Sequence, residues 1–272
     1  MSRSFLSYVG LLSGILSCAT LLVGMVLAID SPRITADPST IREWFQSAST
    51  RIYFSAFFVY VSETLQMVWV ACFVLWNIAK IQNTLIGTDP TQNTPLQGQS
   101  SWSAGASPRL WIINFVAVIG LLMILVFSSL GLAVVSTLAF YWSNPPYTPL
   151  VDTVCETTGL MMYIFTLICL NVSGVFTVIS VYPHVYLIYK YTLFPALWNN
   201  LTLFVGVVCM IFHGLSGMGY FYSGILAPAF IGEYVAPFIY MVWILIINIS
   251  MIKRDNVDRE VFSSIPGKSY SS

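Results

Sequence analysis

The sequence predicts an all-α polytopic membrane protein of six transmembrane helices, with seven as the alternative count, and three observations carry that prediction. Of 272 residues 57% are hydrophobic and only 8% are charged, with a mean hydropathy of +0.80, whereas a soluble domain carries about 25% charged residues. The apolar residues are gathered into long runs, most of them at or above the ~20 residues that cross a ~30 Å hydrocarbon core. Tryptophan and tyrosine bracket these runs where membrane-interface anchors belong. Eleven basic residues balance eleven acidic ones, which leaves no net field to attract nucleic acid. The lipid bilayer is the expected surrounding, nucleic acid is excluded, and other membrane subunits or further copies of the chain are the candidate protein partners.

Taken in order, the helical bundle occupies residues 1–251 and a polar tail occupies 252–272. The first span, 6–28, exceeds the 7–15-residue core of a cleaved leader and reads as an anchor. Gly10 and Gly14 form a G-x-x-x-G in it, a pattern that lets two helices approach closely. Asp37-Pro38 then resembles a helix N-cap with proline at the first helical position, opening a short interfacial helix around Trp44 and Phe45. The second span is 52–79. Residues 82–108 are rich in Gly, Ser, Thr, Gln and Pro with a single charge, Asp89, and read as a flexible loop with too little apolar surface to fold alone.

The third span, 110–140, has Trp111 at one end and Tyr141-Trp142 at the other. Asn144-Pro145-Pro146 ends it, and Asp152 and Glu156 suit the N-terminal dipole of the next helix. That next segment, 156–190, has two readings. It is one long span kinked near Pro183, or two short ones of ~17 residues turning around 171–174, the lower limit for crossing. The single span is preferred. Spans at 201–218 and 225–251 complete the count. Arg3, Lys80, Arg109, Lys190 and the four basic residues of the tail fall on one side of the membrane, against Arg33, Arg42 and Arg51 on the other. The positive-inside rule therefore places the tail in the cytoplasm.

Residues 213–237 break the bilayer-grade pattern most sharply, with five glycines, two prolines, a histidine and a glutamate. Pro237 has no N–H and crowds the carbonyl four residues earlier, that of Glu233. A free backbone oxygen beside Gly232 and a carboxylate is a candidate site for a proton or small cation. Irregular backbone at that depth survives only against protein or a wet cavity. His213 precedes the Gly- and Pro-rich turn, which holds Pro228, and Glu233 follows it. At ~1.5 Å per residue both lie roughly 10 Å below the same face, so a His213–Glu233 contact is geometrically open. Gly214 and Gly217 mark a close-packing face. Glu63 falls near the centre of the second span with Gln66 one turn on. A charge there costs about 3 kcal/mol on insertion scales, so Glu63 faces other helices. For both acids a structural hydrogen bond stands beside a transport role.

Enzyme signatures are missing from the sequence: no G-x-S-x-G elbow, no H-E-x-x-H, no P-loop and no dinucleotide fingerprint. With His184 and His213 the only histidines, a multi-histidine metal site is not available, and no cofactor is expected. Cys18, Cys72, Cys169 and Cys209 lie inside apolar runs and read as small packing residues. Only Cys155 lies near a membrane face. The sequence thus favours a non-enzymatic membrane protein that moves a small solute or proton along a path near Glu233, His213 and Glu63, with Gln66 beside it. A non-catalytic assembly subunit or scaffold is the second reading, and a seven-span receptor the third.

Overall fold

A computed structural model describes residues 3–32, 37–87, 108–143, 149–218 and 234–263. It contains six long helices: α1 (Arg3–Leu27), α2 (Pro38–Gly87), α3 (Pro108–Ser143), α4 (Pro149–Tyr191), α5 (Ala196–Gly217) and α6 (Ala236–Ser263). All six are long and apolar enough to cross a membrane. The chain is an all-α polytopic membrane protein.

Two elements, α2 and α6, differ from the sequence expectation, and α4 follows its preferred reading. α2 starts at Pro38 and runs unbroken through the segment expected to be a separate interfacial helix. Proline opens it at the position where a missing N–H costs nothing, and the Asp37 carbonyl accepts the Ile41 N–H at 3.1 Å. No glycine or proline follows until Gly87, so nothing stops the helix. α4 is continuous through both 171–174 and Pro183, which settles the ambiguous segment as one span. Gly174 serves close packing there: a Cβ on it would lie 2.9 Å from the His213 carbonyl oxygen and 3.1 Å from the Gly217 amide nitrogen. α6 continues into the expected tail as far as Ser263, where an Arg254–Asp258 pair at 3.2 Å adds an i,i+4 contact.

Consecutive helices pack against each other, and α1 packs against α6, so the six close into a circle, with α2 and α4 also in contact across it. Antiparallel neighbours are fixed by local contacts. Ser55 donates to the Gly24 carbonyl at 2.8 Å, and Ser62 donates to the Ser17 carbonyl at 2.9 Å, both between α1 and α2. Trp243 donates to the Thr202 carbonyl at 3.1 Å between α5 and α6. α4 turns into α5 through Thr192, whose φ of 47° is in the left-handed region that commonly ends helices. The Pro195 carbonyl then accepts the Asn199 N–H at 2.8 Å as α5 begins.

The two halves of the circle are filled differently. In the half near the chain termini, Trp69, Phe73, Trp76, Phe194 and Trp243 are buried in one core. The Phe73 ring stacks at 17° on Trp76 and meets the His184 ring edge-on at 4.9 Å. Below that layer Ser7 and Trp76 both donate to Asp255, and Lys80 pairs with Asp258. Ser7 on α1 and Asp255 on α6 thus bring the two ends of the bundle sequence to the same end of the molecule. The opposite half has a smaller core of Phe45, Ile52, Leu138, Trp142 and Tyr163, and it leaves space in the middle.

Candidate functional site

That space is a cavity of about 260 Å³ to which all six helices contribute. On α2, Ile52, Ser55, Ala56, Val59, Glu63 and Gln66 line it, spaced by one, three and four residues as one face of a helix requires. α1 brings Leu21, Gly24 and Met25, α3 brings Ser128 and Gly131, and α4 brings Tyr163, Thr166 and Thr177. His213 from α5 and Pro237 and Tyr240 from α6 complete the wall. The cavity runs from Ala28, Ser31 and Trp44 at the end opposite the chain termini down to the aromatic layer.

Glu63 is 6% exposed. Ser128 hydrogen-bonds its side chain, while Oε2 is buried without a partner. A buried carboxylate oxygen in that state carries a desolvation cost that a proton or a cation relieves. Gln66 is 5% exposed and its amide nitrogen donates to Ser62 Oγ at 3.3 Å. The Ser62 hydroxyl lies 3.1 Å from that of Ser17, so Gln66 is held by the α1–α2 seam as well as facing the cavity. His213 is 8% exposed; its ring hydrogen-bonds the backbone of Ala236 and its Nε2 has no partner. The ring stands edge-on to Tyr240 at 5.9 Å, and the Tyr240 hydroxyl is likewise buried and unpartnered.

Three of the four sequence candidates for a polar path, Glu63, Gln66 and His213, therefore border one cavity. Glu233 lies outside the described residues, as do Gly232 and Pro228, and with them the expected His213–Glu233 contact. Pro237 sits in the first turn of α6 behind a π-type turn at Tyr234 and Val235. Of the packing glycines, Gly217 is pressed against α4, where a Cβ would lie 2.8 Å from the Val175 nitrogen. Gly214 has ordinary clearance, 3.9 Å to Val178.

The sequence reading missed Ser128, Tyr240, and the aromatic groups at the far end of the cavity. The connection after α1 collects the latter: Tyr163 and Tyr234 donate to the carbonyls of Pro32 and Ala28, and Trp44 donates to Asp30 at 3.2 Å. Arg51 pairs with Asp30 at 2.7 Å. Burial pushes the Asp30 carboxyl up, but hydrogen bonds from Arg51 and Trp44 outweigh it and hold the group below its ordinary range. Hydroxyls and indoles spread over four segments give no spacing that points to one place, whereas the mid-span acid did.

Compared with protein-family models, with curated proteins and with solved structures, the chain matches none.

Proposed function

We propose that this membrane protein transports a small solute, with the central cavity as its binding site and Glu63 and His213 as the polar groups that engage the solute or a coupled proton. The observation that carries the reading is Glu63 itself: a mid-span carboxylate with one buried, unpartnered oxygen on the wall of a cavity that all six helices frame. Ionisable groups inside a membrane are costly and mark substrate or ion pathways, and a mostly apolar cavity with a few convergent polar groups is the usual form of a small-molecule site. Pro237 lines the cavity where α6 begins, and the sequence adds Glu233 and Gly232, outside the described residues, as candidates for the same path. With α4 continuous, the described helices do not form the seven-span arrangement on which a receptor reading depends.

The test is reconstitution of the full chain in liposomes with an imposed proton gradient, reading internal pH and uptake of labelled amines, amino acids, polyols and monocarboxylates. Flux above that of empty vesicles, reduced at least tenfold by Glu63→Gln and by Glu233→Gln at normal yield, is the expected result. Flux of every species at the empty-vesicle level would overturn the reading. The assembly-subunit alternative would then show as a partner that co-purifies with this chain and is lost without it.

A further inference from the structure

We propose that the solute class is a small organic monocation, an amine carrying one positive charge, which pairs with Glu63 beside the Tyr240 ring. This rests on the transport reading and sharpens it.

Charge argues first. Among the described residues that line the cavity, Glu63 is the one acid and there is no lysine or arginine. An anionic solute would meet the Glu63 carboxylate with no fixed positive group to offset it. A neutral donor would hydrogen-bond the carboxylate oxygen Oε2 but leave its charge uncompensated in a low-dielectric site. An ammonium group satisfies that oxygen with a charge-assisted hydrogen bond, roughly twice as strong as a neutral one.

The walls argue next. Tyr240 borders the cavity level with Glu63, since the Trp69–Asn248 and Trp76–Asp255 contacts set it beside Val61 of α2, and an aromatic face attracts a cation by about 0.5–2 kcal/mol, more as water is excluded. Trp44, Tyr163 and Tyr234 have their polar tips tied to the Ala28–Pro32 connection at the other end of the cavity, away from Glu63. The rest of the lining is mainly aliphatic. That suits the carbon frame of an organic cation, and the serine and threonine hydroxyls among it offer a solute further hydrogen-bond partners. At about 260 Å³ the space lies just below the ~300–1,000 Å³ of ordinary ligand pockets, so the solute is small.

Three probes with one carbon frame separate charge from shape: 2-phenylethylamine, 2-phenylethanol and phenylacetate. Their binding to the full chain in nanodiscs is measured by calorimetry, and their uptake is measured in the liposomes described above. The amine is expected to bind at least tenfold tighter than the alcohol or the acid. Glu63→Gln is expected to abolish that preference while still binding the alcohol. If Glu63→Gln does not insert, Glu63→Asp keeps the charge and is expected to keep the preference at reduced affinity. Failure of the wild-type chain to bind the amine, equal binding of the three probes, or a preference that survives Glu63→Gln would each overturn the proposal. Uptake of any labelled solute that persists alongside such a result would leave the transport reading standing and remove only the cation assignment. No flux of any species would remove both.

Discussion

The Trp69 indole N–H donates to Asn248 Oδ1 at 2.9 Å, joining α2 to α6 across the interior of the bundle. Seven residues further along both helices the Trp76 indole repeats the contact on Asp255 at 3.1 Å. Equal steps on both helices mean that the two run parallel with a fixed register, although they are not neighbours in the circle. Trp69 and Asn248 are both fully buried, so neither partner can exchange the bond for water.

Trp69→Phe keeps most of the ring volume and removes the donor. It leaves Asn248 Oδ1 without a partner beside an amide nitrogen that already has none, at a cost of about 1–3 kcal/mol. The expected outcome is a lower melting temperature in detergent, with Trp69→Phe/Asn248→Leu recovering part of the loss because both polar groups are then gone. Equal melting of Trp69→Phe and wild type would show that the bond contributes nothing.

The two glycines of the first-span motif behave differently. A Cβ on Gly14 would lie 2.2 Å from Asn248 Nδ2 and 3.0 Å from the Trp69 ring. Asn248 would have to swing away from Trp69 to make room. A Cβ on Gly10 meets nothing closer than 3.4 Å, an ordinary contact. Gly14→Ala is therefore expected to destabilise by about 1–3 kcal/mol through overpacking. Gly10→Ala is expected to be neutral or to stabilise by up to about 1 kcal/mol, since alanine is the better helix former. Thermal or denaturant melts of the two variants decide this, and equal behaviour would contradict the packing described.

The motif Gly10-x-x-x-Gly14 shows how much the sequence can say. It marks a helix that another approaches, because only small residues permit that in lipid. It does not say that Gly14 meets both α2 and α6, since that depends on how six helices close. The same limit holds at the candidate site. Glu63 was legible because a charge in mid-span is costly wherever it points. Its neighbours Ser128 and Tyr240 were not, because a serine or tyrosine in a span is cheap and common. The pairing expected for His213 with Glu233 lies outside the described residues; within them His213 meets Tyr240 and the Ala236 backbone on α6 and shares the cavity with α2. α6 outlasting the expected span has a local cause: Asp255 and Asp258 are held by Trp76 and Lys80 on α2, so polar residues past the apolar run remain packed and helical.

At the opposite end, Arg51 and Trp44 hold Asp30. Because its carboxyl titrates below the ordinary value near 3.9, the stabilisation from this contact is fully present above about pH 4. It is lost as pH falls through the folded-state value. The pair is half-exposed, so the effect is local and small. In spectra of aspartate-labelled protein, Arg51→Gln is expected to raise the Asp30 midpoint, whereas an unmoved midpoint would mean that Arg51 does not hold the carboxyl.

Access to the cavity follows from how the two halves are filled. Val59 lines the cavity wall, while Ile78, nineteen residues further along α2, is 2% exposed within the aromatic core. In a background with the native cysteines replaced, Val59→Cys is expected to react with a small membrane-impermeant thiol reagent, and Ile78→Cys is expected to stay inert. The six described crossings, an even number, put both ends of the bundle on one side, so tags at both chain ends are expected to be cut by protease from the same face. The distribution of lysine and arginine predicts a cytoplasmic tail, and on that orientation the Val59→Cys reaction is expected from the outer face only. Reaction of Ile78→Cys at the same rate would mean that the aromatic layer does not close the path. Reaction of Val59→Cys from the tagged face alone would reverse the direction in which the cavity opens, and with it the side on which the solute first meets Glu63.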